Sequence, residues 1–373
     1  MNITFLIGNG FDRNLGLLTA YSDFVKFYKM TVAKTDTLQK FREHIKENKE
    51  LWSDAEIALG KYTNQFEVGK AETFAECQTD FCEFLANYLK EQERRIDYDE
   101  SADLILNAFS KLEQIINVFP TQEQEVIGNV IKNKRNENTK FNFICFNYTS
   151  TLDNCLQLVK SSPGILGSHK YSNQTLNHTI GEICHVHGTV DKEMVFGVND
   201  ESQISKVDIF DCEDGDIYKN LLIKIQANAS YLENTDAKAK SLLDSSQIIY
   251  VYGMSIGETD KLWWQRICKW LSGSSERHLI VQKYGFPTKS VLPTYYQLAE
   301  RKARREITNY SELDQSQKNN IEKRIHITGE NIFSDISEIA KDLSRKSEKY
   351  LTVLEQIESE ETLKKAKKEL AKV

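Results

Sequence analysis

Apolar side chains along the 373 residues fall into two rhythms. Short, mainly apolar runs read as buried strands: Ile3 to Ile7, Phe141 to Phe146, Ile183 to Val186, Met194 to Val198, Ile248 to Tyr252, Leu279 to Val281 and Ile325 to Ile327. Between them the spacing turns helical, as in Leu17 to Tyr28, Ser150 to Leu158, Leu262 to Leu271 and Tyr295 to Ala303. Strands alternating with helices predict an α/β fold, Rossmann-like, with a mostly parallel sheet flanked by helices. Residues 36–140 interrupt this order. They carry almost no strand signal and repeat helical spacing, for example at Phe41 and Ile45 or at Phe81, Phe84, Leu85 and Tyr88. They are predicted to be a helical insertion after the first βα unit. The core is then residues 1–35 and 141–330. Residues 161–177 and 208–216 read as loops. From residue 331 a charged helical segment runs to residue 373, with the basic run Lys364, Lys365, Lys367 and Lys368 near its end, and is predicted to be a solvated helix.

Polar motifs follow directly on three of the predicted strands. The first is Gly8-Asn9-Gly10-Phe11-Asp12, where strand, glycine turn and helix succeed one another as in nucleotide-binding α/β domains. Glycines let backbone approach a phosphate or ribose, and a helix start offers free N–H groups. The third glycine of a dinucleotide fingerprint is replaced by Arg13, and no Gly-Lys-Ser/Thr follows, which excludes Walker A. Capping of the helix by Asn9 is the competing, purely structural account. The second motif begins at Asn147, whose amide can both donate and accept hydrogen bonds to a ribose hydroxyl or a water; Thr149, Ser150 and Asp153 follow. The third is Gly253-Met254-Ser255-Ile256-Gly257 with Thr259 and Asp260, again a turn that can touch phosphate or ribose or simply start a helix.

Histidines add candidate acid–base chemistry. His185 and His187 alternate on one strand and end in Gly188, which leaves room for a substrate. His187, nearest the strand end, is the candidate general base, and His185 is assigned a supporting or core place. Cys184 beside them raises the idea of a metal, but a single tight cluster is a weak ligand set, and no metal site is assigned. Gly253-Met254-Ser255-Ile256-Gly257 also fits the Gly-x-Ser-x-Gly nucleophile elbow, with His278 and His326 following as potential bases. The Trp263-Trp264 pair reads as helix packing.

Composition narrows the setting. A formal net charge of -7 and a pI near 5.7 argue against broad nucleic-acid binding. No apolar run reaches the length of a membrane span, and no signal-peptide pattern opens the chain. Seven scattered cysteines without a CxxC pair fit reduced thiols, so a cytoplasmic location is expected.

Together the motifs resemble the AbiH family of bacterial phage abortive-infection proteins. The resemblance rests on Ile7-Gly-Asn-Gly-Phe-Asp12 with Leu17, Thr19, Tyr21, Asp23 and Phe24, on Phe146-Asn-Tyr-Thr149 with Leu152, on His185-Val-His187-Gly188 with Phe196-Gly197, and on Tyr252-Gly253-x-Ser255-x-Gly257-Glu258-Thr259-Asp260. A more remote likeness is to sirtuin-like domains, which share a glycine turn after the first strand, an Asn after a middle strand, a following His-Gly and a late Gly-x-Ser. In those domains the Asn and His serve NAD cleavage, and they correspond to Asn147 and His187. The four-cysteine zinc module of sirtuins is missing, which argues against protein deacylation.

These resemblances imply an antiphage effector that hydrolyses the N-glycosidic bond of NAD or a related nucleotide, a substrate rather than a prosthetic group. Asn147 and His187 would be catalytic, and Gly8, Asn9, Gly10, Phe11, Asp12, Gly188, Gly253, Ser255 and Asp260 would bind the nucleotide. A phage-derived trigger, a defence-system partner protein and a second copy of the chain are the expected partners. Two other classes remain open at this point: a nucleotide sensor or scaffold without chemistry, and a nuclease using His185, His187, Asp12 and Asp153.

Overall fold

The computed structural model describes residues 1–231, 234–287 and 293–345. Its sheet has seven strands: β1 (Asn2–Ile7), β2 (Thr139–Cys145), β3 (Ser168–Tyr171), β4 (Gln174–His185), β5 (Ile248–Tyr252), β6 (His278–Gln282) and β7 (Ile325–Thr328), ordered β3-β4-β2-β1-β5-β6-β7. Every neighbouring pair is parallel except the hairpin β3/β4. The central strands are covered on both faces, which is why they read as continuous apolar runs rather than alternating ones.

Helices α1 (Gly10–Asn14) and α2 (Tyr21–Tyr28) follow β1, and α3 (Asp36–Glu47), α4 (Ala55–Tyr62) and α5 (Ala71–Glu93) come next. From α2 onward these helices build a cap with its own core, in which Phe24, Tyr28, Phe41, Trp52 and Phe81 pack with Phe196, Val198 and Leu222. Buried Arg42 and Asp80 pair at 2.9 Å, and the Tyr28 hydroxyl donates to the same carboxylate at 2.6 Å. Asp54 starts α4 by accepting from the Ile57 N–H at 3.3 Å.

Helices α6 (Ala102–Ser110), α7 (Thr121–Asn133) and α8 (Thr151–Lys160) contribute to the layer on one face of the sheet. The 36–140 segment is therefore divided: α3 to α5 join the cap, while α6 and α7 lie on the sheet. Helices α9 (Gly215–Leu222) and α10 (Lys224–Tyr231) lead back from the cap, and α11 (Thr235–Asp244), α12 (Lys261–Ser272), α13 (Pro293–Thr308) and α14 (Gln315–Glu322) cover the other face. Trp263 and Trp264 are buried there.

Several sequence expectations change. Gly16 adopts φ +86 and ends α1, so the predicted helix from Leu17 begins only at Tyr21. Residues 161–177 contain β3 and the start of β4, whose side chains are mostly polar and exposed and so left no apolar signal. Met194 to Val198 forms no strand; Val195, Phe196 and Val198 are apolar because they enter the cap core. Residues 208–216 are partly helical, through a short turn at Val207–Phe210 and the start of α9. The C-terminal segment does not begin as a solvated helix, because Ile332, Phe333 and Ile336 are buried against the sheet layer. Residues 337–345 are helical, and the lysine run at 364–368 lies outside the described residues.

Candidate active site at the strand ends

The chain extends the sheet from β1 through β2 to β4 and then crosses to the other side of β1 with β5. Strand order therefore reverses beside β1, where ligands of open parallel sheets bind at the carboxyl ends. Register places Ile7 opposite both Cys145 and Tyr252, and Cys145 opposite His185. The residues that leave these strands, Gly8, Asn147, His187 and Gly253, consequently emerge along one edge.

They meet in a cavity of about 280 Å³ beneath the cap, lined by Gly8, Asn9, Asp12, Asn147, His187, Gly253, Ser255 and Asp260 among others. Three predicted residues do not reach its lining. Gly10 lines an adjoining cleft. The Phe11 ring is buried against Phe109, Tyr252 and Phe333, so it is a core residue rather than a ligand contact. Gly188 holds a turn at φ +69 packed on the Glu193 backbone.

The paired glycines have a local cause. The Gly10 N–H donates to the Gly253 carbonyl at 2.9 Å, and the Gly8 N–H donates to the Tyr252 carbonyl at 2.9 Å. A Cβ on Gly10 would stand 2.4 Å from the Gly253 Cα. Both glycine turns thus serve to press β1 and β5 exits together, and the Gly8 and Gly10 N–H groups are spent on that contact rather than on a phosphate. Asn9 is bound to Thr19: its amide donates to the Thr19 carbonyl at 3.1 Å and accepts from the Thr19 hydroxyl at 2.5 Å. Its side chain therefore ties the segment after α1 and caps no helix.

Asp12 lies at the bottom with 1% of its surface exposed. One carboxyl oxygen accepts from the Thr149 hydroxyl at 2.6 Å, while the other, Oδ1, has no partner. Burial pushes this carboxyl up to about 6, opposed by the polar side chains of Thr149, Asn147 and Thr151. The Asn147 side chain leaves both its amide nitrogen and oxygen unbonded and buried, a costly arrangement for a group with nothing to bind.

The two histidines are used differently. His185 sits between the Asp153 carboxylate at 2.7 Å and the Asn147 backbone carbonyl at 3.2 Å. Burial disfavours its imidazolium, but Cys145 and Asp153 outweigh that and raise its pKa, so it is a charged brace behind Asn147. His187 lies between the Phe146 and Tyr148 rings with its Nδ1 unpartnered. Burial, and then the Lys224 ammonium, hold it well below its ordinary value, which favours the neutral imidazole.

The cap supplies residues that sequence reasoning passed over. Lys224 and Glu56 form a buried ion pair at 2.6 Å. The hydroxyls of Tyr21 and Tyr148 both donate to the same Glu56 carboxylate, at 3.0 and 3.2 Å. The Thr259 hydroxyl donates to Asp54 at 2.6 Å and so ties the β5 turn to the start of α4. Ser255 donates to Asp260 at 3.1 Å, and burial pushes Asp260 up to about 6, opposed by Lys224. The signal for Lys224 was present as a lone cation inside the apolar stretch Leu221 to Ile225.

The nucleophile-elbow reading fails on this lining. Ser255 faces Asp260 rather than a histidine, while His278 and His326 bond to each other at 3.0 Å and His326 to Glu123 at 2.9 Å; no hydrolase triad forms. Cys184 turns away to donate to the Thr235 carbonyl at 3.4 Å, and among the described residues no three His, Cys, Asp or Glu side chains are placed to share a metal ion.

Fold and site define an α/β protein with a parallel-sheet core, whose strand ends and helical cap enclose a carboxyl-rich cavity. A family model described as bacteriophage abortive infection AbiH matches residues 4–282. The chain belongs to that family, which implies an antiviral, abortive-infection role. The match spans all the strand-end motifs and the entire cap, and leaves β7 and the C-terminal segment outside. No curated protein matches the chain. Among the described residues no helix is long and apolar enough to cross a membrane.

Proposed function

We propose that the chain acts in abortive infection by hydrolysing the N-glycosidic bond of NAD or a related nucleotide. The observation that carries this is the pairing of Asp12 and Asn147 in one cavity, both with unsatisfied buried polar atoms. Four carboxyl groups, Asp12, Asp54, Glu56 and Asp260, line that cavity against the single cation Lys224. Such a field favours a cationic nicotinamide ring and the positive charge that develops on ribose as the bond breaks. The C1′–N bond would part with its electron pair going to nitrogen, releasing neutral nicotinamide. Water would add to C1′ and yield its proton to Asp12. A base near 6 is matched to this task, whereas His187 is too weakly basic and serves as a neutral hydrogen-bonding wall. Asn147 would orient the water or the ribose, braced by His185. The same acidic field opposes a polyphosphate backbone, which weighs against a nuclease.

Loss of the nucleotide would halt growth of the infected cell, with a phage-derived trigger, a partner protein or self-association as the switch. The test is nicotinamide release by the purified chain from NAD and NADP, with ATP turnover followed in parallel, together with NAD levels in infected cells carrying it. Asp12→Asn and Asn147→Ala should each lower turnover by about 10² or more. Intact nucleotide pools in cells that the protein protects, or full activity in both variants, would refute the proposal. Tight nucleotide binding without turnover would instead favour a sensor.

A further inference from the structure

A second, larger cleft of about 820 Å³ opens on the other side of the Gly10–Gly253 contact. It shares Asn9, Gly253, Met254 and Ser255 with the first cavity, so the two adjoin at the strand ends with these residues between them. Their linings differ in charge. The first is dominated by carboxyls; the second carries Arg13 and Lys283 against one acid, Glu306. Lys283 is held by Glu306 at 2.6 Å. Arg13 is exposed and makes no ion pair with any described residue. Tyr284, at the cleft wall just before Gly285 (φ +70), is 97% exposed. An unpaired guanidinium suits a phosphate, and an exposed aromatic face suits a planar base.

We infer that this cleft takes the phosphates and second nucleoside of a dinucleotide, and that the substrate class is a dinucleotide rather than a mononucleotide or free nucleoside. The assignment rests on the first cavity holding the ribosyl group. A cavity of about 280 Å³ is at the lower end of small-molecule sites and cannot enclose two nucleosides. Phosphates are repelled by the carboxyls of the first cavity, whose cation Lys224 is already paired with Glu56, and find the unpaired Arg13 guanidinium across the glycine contact. Ser255 and the Gly253 turn would lie under the joint between the two halves.

The test compares Arg13→Ala and Tyr284→Ala with the parent chain. Hydrolysis of NAD and of nicotinamide riboside, which carries no phosphate, is measured for each, with calorimetric binding of ADP-ribose as an independent readout. Either variant should lower kcat/KM for NAD, and weaken ADP-ribose, by about tenfold or more, while values for the riboside, which reaches neither residue, stay within about twofold. Equal losses on both substrates, or no loss on either, would overturn the inference, as would a parent chain that does not bind ADP-ribose. ADP-ribose binding that Arg13→Ala abolishes, in a chain that releases no nicotinamide, would uphold the second cleft and sink the hydrolase proposal alone.

Discussion

Asp12→Asn should make the protein more stable and inactive together. The carboxyl is fully buried, and its pKa rises from 3.8 to about 6. A raised carboxyl pKa means that the fold favours the protonated form. The stability this contributes is complete below 3.8 and is lost as pH climbs through 6. At about 1.36 kcal/mol per pH unit, ionisation of Asp12 costs the fold about 3 kcal/mol at pH 7 and about half that at pH 5. Asparagine mimics the protonated acid. Its oxygen can keep the Thr149 hydroxyl as donor, and its amide faces the unbonded polar atoms of Asn147 and Thr151. Urea unfolding of both proteins at pH 5 and pH 7 provides the assay. The variant should gain stability at both values, with a gain about 1 kcal/mol or more larger at pH 7. A pH-independent difference, or a variant less stable at both, would show that Asp12 is solvated or otherwise compensated and would remove the physical basis for using it as a base. A residue retained against stability is the pattern expected of a working site.

Nicotinamide release should rise with pH up to about 6 and then level off, because only ionised Asp12 accepts the proton; Thr149→Val should move that limb to higher pH by removing the hydroxyl that lowers it. Lys224→Met leaves the buried Glu56 carboxylate without its cation and should cost about 3–5 kcal/mol, most of it recovered in the double variant Glu56→Gln/Lys224→Met, as read by chemical unfolding. Gly10→Ala drives a methyl into the Gly253 backbone and should cost about 1–3 kcal/mol while splaying the two turns, so a thermal-unfolding midpoint unchanged from the parent would contradict the packing account of these glycines.

Much of the sheet was legible because parallel strands buried on both faces are mainly apolar, and six of the seven strands carry that mark: β1, β2, β5, β6 and β7 over most of their length and β4 at its end only. The remaining one, β3, is polar and exposed, and β-structure without a buried face leaves no periodic trace. The strand-end residues Asp12, Asn147, His187 and Asp260 were also visible, since each follows a recognisable strand within two to eight positions. Phe11 was misjudged because a sequence cannot say which way a turn residue points, and its ring belongs to the core.

Local pattern by itself determined the α/β alternation, the polar motifs at strand ends and the family to which the chain belongs. Tertiary structure alone decided that Glu56 and Lys224, 168 positions apart, share a buried ion pair above the cavity, and that the helices after β1 split between cap and sheet. It also reassigned the glycines of the first turn from a phosphate cradle to a contact between two strand exits. The physical reason is that hydrophobic periodicity records only whether a residue is buried. Which buried or charged groups meet depends on strand order and crossover, and these are set by the packing of whole layers.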